Sequence, residues 1–310
     1  MTLLVLTILT PVIPLAALYV LTRSRAHSLF EWVLNIIIAG SFIFTLHVIG
    51  TWVFLSYYLR YLFLVVFIGV TAHSLLRFLQ HRRGVERSRM KASPNQGTRM
   101  TTKIIYSLVG ITLAGLTGRG HIAPDRTIDL SFPLRGGTYC IIQGGRNFAT
   151  NPFHNFVDSE YALDIVRINR LGNRAKDLWP KKVEQYEIFG DTIYSPSQGV
   201  VYHTVNTIHD NVPPRANSRH PLGNHVVVSA DDARIIVAHL MQGSILVSPG
   251  DTLTTGQPIG RVGNSGYSNE PHLHIQALRH TADNPTAGDE PVAVRFGGEF
   301  LAINDVVSSR

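Results

Sequence analysis

The chain has 310 residues, a sequence pI near 9.7 and a mean hydropathy of +0.11, a balance that argues against an ordinary, wholly soluble protein. Its single cysteine, Cys140, excludes an intrachain disulfide and reads as a small buried apolar residue. Residues 1–118 carry eleven Lys and Arg against only Glu31 and Glu86, whereas residues 119–310 carry seventeen against nineteen acidic residues, so the basic excess speaks for membrane topology and against a nucleic-acid partner.

Residues 2–22 are uncharged and apolar, interrupted only by Pro11 and Pro14, and no basic segment precedes them, which favours a retained span over a cleaved signal. Residues 29–59 hold a second span with Trp52, Tyr57 and Tyr58 at its far end, where interfacial aromatics belong. Residues 61–76 form a third, followed by a basic run from Arg77 to Lys103 that marks the cytoplasmic side and includes a flexible tract at 93–98. Residues 104–118 are fifteen uncharged positions, short of the roughly 20 that a crossing needs. The expected division is three transmembrane helices in 1–80, a basic cytoplasmic loop at 81–103, a segment at 104–118 that is either a fourth span or a buried helix, and a domain at 119–310 that is exported in the first case and cytoplasmic in the second. His47 and His73 fall within the spans and read as packing groups.

From about residue 127 the pattern changes to short β-type runs at 199–205, 224–229, 234–240, 258–262 and 272–278, separated by Gly, Pro, Asn and Asp. The expected fold class is therefore mostly β, an antiparallel sandwich or barrel-like domain behind an α-helical membrane region. Within it, His272 and His274 stand two positions apart on a strand and so face one common space, a geometry suited to a metal site. His239 lies in another apolar strand. His154 has two candidate partners, Asp158 in a polar patch and Asp164 between apolar residues; an ionised carboxylate in the second setting is costly unless paired or metal-bound, which favours Asp164. His203, His209, His220 and His225 surround a polar, Pro-containing stretch and read as solvated, and Asn224 as a turn residue.

Taken together, His154 with Asp164, Ala238-His239-Leu240, Gly250-Asp251 followed by Gly256-Gln257-Pro258-Ile259-Gly260, and Pro271-His272-Leu273-His274 resemble the lysostaphin-type, LytM-like zinc endopeptidases, whose domain cuts peptide links in bacterial cell walls. The resemblance covers roughly residues 128–278 and not the membrane half. It implies a Zn2+ cofactor held by His154, Asp164 and His274, with His239 and His272 as catalytic neighbours, and peptidoglycan peptides as substrate. The ten-residue step from His154 to Asp164 departs from the family's usual four, which keeps Asp158 as second choice. A wall-cutting domain must face the wall, so the resemblance also implies that 104–118 spans the bacterial cytoplasmic membrane and leaves the C-terminal domain outside. A non-hydrolytic module that regulates other wall enzymes is the alternative. A lipoyl-like carrier is disfavoured, because residues 240–278 contain no lysine for a hairpin tip.

Overall fold

The computed structural model describes residues 2–85, 96–152, 159–231, 233–279 and 289–309. It divides into two compact units, one of residues 1–52 and 57–118, the other of Val53–Ser56 with Arg119–Arg310.

Among the described residues the first unit holds four helices, α1 (Thr2–Arg23), α2 (Leu29–Ile49), α3 (Leu59–Val85) and α4 (Gln96–Arg119), each long and apolar enough to cross a membrane. The Ser28 hydroxyl caps α2 by accepting from the Glu31 amide. Polar groups pin the helices in pairs. Trp32 Nε1 donates to Ser74 Oγ at 2.9 Å, and Lys103 Nζ meets Glu31 Oε1 at 2.7 Å. Gly110 of α4 lies so close to Ser41 of α2 that a Cβ there would fall 2.0 Å from the serine hydroxyl. Outward faces expose Ile8, Val20, Ile68 and Leu108, the surface expected where hydrocarbon is the solvent.

Two helices run longer than the hydropathy implied. The third continues to Val85 through Arg77, because basic residues are good helix formers and nothing there breaks the backbone pattern. The fourth begins at Gln96, so residues 96–98 of the tract read as a loop are helical, while 93–95 lie outside the described residues. This start adds polar turns that bring the fourth helix to spanning length.

The second unit is a large, mainly antiparallel β-domain. Among the described residues its strands are β1 (Thr127–Leu130), β2 (Gly137–Gln143), β3 (Leu163–Ile168), β4 (Thr192–Tyr194), β5 (Gly199–Val205), β6 (Asn224–Ala230), β7 (Ala233–Leu240), β8 (Thr252–Leu253), β9 (Pro258–Arg261), β10 (Leu273–Arg279), β11 (Glu290–Phe296), β12 (Glu299–Phe300) and β13 (Val306–Ser309). The main path runs β13-β2-β3-β10-β7-β6-β5-β8, with β11 also pairing β10 and β4 pairing β9 apart from it. The five runs expected from the sequence correspond to β5, β6, β7, β9 and β10. The others escaped notice because most are short or lack clean alternation.

Alternation along the central strands decides which side each residue takes. Leu163 and Ile165 of β3, Ile235 and Val237 of β7, and Leu273 and Ile275 of β10 enter one large apolar cluster. Their in-between neighbours, including Asp164, Ala238, His274 and Gln276, take the opposite face. Register then aligns them: His274 stands opposite Asp164 on one side and Ala238 on the other. Replacing Ile275, 0% exposed, with Ala should destabilise the domain by about 2–5 kcal/mol. Val200→Ala, at a 44% exposed site, should change stability by less than about 0.5 kcal/mol; thermal unfolding of the detergent-solubilised chain compares the two.

Candidate metal centre

The ends of β3, β7 and β10 converge on one buried polar cluster. Asp164 Oδ1 lies 2.9 Å from His274 Nδ1 and 3.4 Å from His272 Nε2. The His239 ring centroid is 4.7 Å from that of His272 and 5.5 Å from that of His274. One ligand atom from each of the three histidines falls within a 4.8 Å span. His239 is held there at φ +62°, a sparsely used conformation for a non-glycine residue, with its amide donating to Leu222 O and its carbonyl accepting from the Gly263 amide.

Outer partners fix what each ring presents. His239 Nδ1 donates to the Ser265 carbonyl at 2.9 Å, and His272 Nδ1 to the Glu270 carbonyl at 2.8 Å, which leaves both Nε2 lone pairs toward the cluster. His274 Nε2 lies 2.9 Å from Gln276 Oε1 and its Nδ1 hydrogen-bonds Asp164 Oδ1 at 2.9 Å, so Nδ1 is the nitrogen turned toward the cluster. Three imidazole nitrogens and a carboxylate turned toward one point are a donor set for a cation, each ring oriented by a hydrogen bond from its far side. The residues therefore fit a bound zinc.

Without a metal, protons take up this tension. Burial pushes His272 down most strongly, but the Asp164 charge and hydrogen bond, with the Glu270 carbonyl, outweigh it and raise its pKa above the ordinary value. Burial, helped by His272 and His274, holds His239 well below.

Residues 185–286 match the model for Peptidase family M23. The chain carries a peptidase family M23 domain. The matched stretch contains His239, His272 and His274, while Asp164 precedes it. The catalytic domain of lysostaphin from Staphylococcus simulans is 25% identical over 36% of this chain and 81% of that one, with a TM-score of 0.23. Lysostaphin itself is 24% identical over 41% of this chain, of which the chain spans 40%, at a TM-score of 0.25. A zinc-containing peptidase from Vibrio cholerae is 20% identical over 38% of this chain and 46% of that one, at 0.23. Comparison with curated proteins gives no match.

Of the residues singled out in the sequence, the β-domain thus brings together Asp164, His239, His272 and His274. His154 and Asp158 lie outside the described residues. His203, His209 and His220 are exposed, and His225 is half-buried, its Nδ1 donating to the Gly223 carbonyl. Asn224 differs from the turn role expected of it. Fully buried, it accepts from the Ile208 amide and donates to the Ile208 and Leu240 carbonyls, tying a loop to the end of β7 beside His239. Gln276 and Ser265 were missed altogether; Gln276 sits two positions beyond His274, a spacing that would have flagged it.

A pH dependence follows for the metal-free protein. His272 has a folded pKa above its unfolded value near 6.5, so its contribution to stability is complete below about pH 6.5 and is lost as pH rises through the folded value. Melting temperatures recorded in chelator should fall over that window, and His272→Gln should flatten the fall.

Proposed function

We propose that the chain is a membrane-anchored zinc metalloendopeptidase that hydrolyses peptide cross-links of bacterial peptidoglycan. The observation that carries this reading is the convergence of His239, His272 and His274 on Asp164 in one buried cluster within and beside the M23 domain. His154, Asp164 and His274 are the proposed zinc ligands, with Asp158 as the alternative to Asp164. Bound zinc would supply Lewis acidity at the scissile carbonyl and lower the pKa of a water. His272, held by the Glu270 carbonyl with its Nε2 inward, is placed to accept and relay a proton. His239, kept neutral by burial with its Nε2 unprotonated, would donate to the negative charge developing on the carbonyl oxygen once Nε2 has taken up a proton relayed within the site.

The four apolar helices support anchoring in the bilayer. Val53–Ser56 joins α2 to α3 yet belongs to the same compact unit as Arg119–Arg310. The two segments then lie on one side of a membrane, which an even number of crossings between them, α3 and α4, satisfies. With the basic run between those helices inside, the N-terminus and the peptidase domain lie on the extracytoplasmic side of the bacterial cytoplasmic membrane. The proposed partners are peptidoglycan peptides and the lipid bilayer, with no role for nucleic acid.

Purified protein should contain one zinc and release fragments from isolated cell walls. Asp164→Ala should weaken zinc binding by at least about 10-fold, whereas Asp158→Ala should not; the reverse result would move the ligand assignment. His272→Ala and His239→Ala should keep zinc but lower kcat by about 10²–10⁴-fold. A zinc-free, inactive wild-type protein would instead favour a non-hydrolytic regulator of wall enzymes. Alkaline phosphatase fused at the C-terminus should be active and a cytoplasm-dependent reporter silent.

A further inference from the structure

Behind His272, on the side away from the cluster, sits an ion pair that the proposed chemistry does not use. Arg174 is 1% exposed, and its Nε and Nη2 donate to the two carboxylate oxygens of Glu270 at 2.7 and 2.8 Å. Nη2 also donates to the Leu178 carbonyl at 3.1 Å. Among the described residues Nη1 meets no hydrogen-bond acceptor. What covers that part of the guanidinium is the Phe54 ring, whose centroid is 3.5 Å from Cζ. Phe54 belongs to the same compact unit as Arg174, and the Arg174 amide donates to the Val53 carbonyl at 3.1 Å.

Glu270 has two functions in this arrangement. Its side chain is clamped in the arginine fork, and its backbone carbonyl accepts from His272 Nδ1 and from Ser268 Oγ, at 2.8 and 2.9 Å. A bidentate guanidinium–carboxylate pair restricts rotation and translation of the carboxylate together. Fixing the Glu270 side chain therefore fixes the peptide that orients the His272 ring.

We propose that Arg174, Glu270 and Phe54 form a positioning device for His272, in which Phe54 from the α2–α3 connection seals the arginine whose fork holds the Glu270 peptide in place. None of the three touches the reacting atoms. Residues 185–286 alone lack both Arg174 and Phe54, so their proton-handling histidine is fully held only in the longer chain. The kinetic part of this inference rests on the peptidase reading; the orientation of His272 does not.

The test uses the full-length protein in detergent, with Phe54→Ala, Phe54→Tyr, Arg174→Lys and Glu270→Gln. Phe54→Ala and Arg174→Lys should lower kcat about 10-fold at unchanged KM and unchanged bound zinc, since a small misplacement of a reacting group is enough for such a loss. Phe54→Tyr, which keeps a ring over the guanidinium, should stay near wild type. In metal-free protein labelled with ¹⁵N-histidine, the His272 Nδ1 proton should be protected from exchange in wild type and exchange about 10-fold faster in Arg174→Lys and Glu270→Gln. Unchanged kcat and unchanged exchange would overturn the proposal, as would a loss of activity that follows zinc content and melting temperature in proportion. If Arg174→Lys does not fold, Phe54→Ala and Glu270→Gln decide by the same readouts. A wild-type protein that cleaves nothing would defeat the peptidase reading, and the exchange measurement would still decide on the positioning device.

Discussion

The arrangement depends on one buried carboxylate. Asp164 stands near the start of a strand, with neighbours on both sides that enter the hydrophobic core, and an ionised group there is costly without compensation. Compensation comes from directly across the sheet, where register sets His274 against it, and from His272 two residues earlier on the same face. The interaction holds β3 to β10 at the point where chemistry is proposed, and the surrounding strands keep it out of bulk water. Stability and function thus compete for the same group: the core pays for a charge that only a cation or a proton can satisfy.

Around that charge the structure spends its hydrogen bonds on orientation. Ser265, Glu270 and Gln276 each hydrogen-bond the outer nitrogen of one imidazole, so that all three rings turn their other nitrogen inward. Asn224 and Ser265 in turn tie the loops to the end of β7: the Ser265 hydroxyl donates to the Leu240 carbonyl and accepts from the Asn224 amide. The unusual backbone of His239 is tolerated because its amide and carbonyl are both satisfied, which holds the residue in a conformation it would not choose alone.

The helical unit follows a different physics. Its helices present apolar faces outward and small or polar residues inward, as at Gly110 against Ser41 and Trp32 against Ser74. There hydropathy was a sufficient guide to the existence of the helices but not to their ends. Where α3 and α4 stop depends on helix propensity and solvation in the polar turns, to which a hydropathy window is blind.

The sequence by itself determined the apolar helices, the β-rich character of the second half, the strand carrying His272 and His274, and the buried setting of Asp164. Those properties are local: periodicity, charge and burial cost are carried by neighbouring residues. Only the tertiary structure decided that Asp164 faces His274 across a register 110 residues apart, that His239 reaches the same cluster, and that Gln276, Ser265 and Glu270 orient the rings. Pairing between distant strands and the fork of Arg174 on Glu270 leave no periodic trace, because side chains brought together by the fold need share no spacing along the chain.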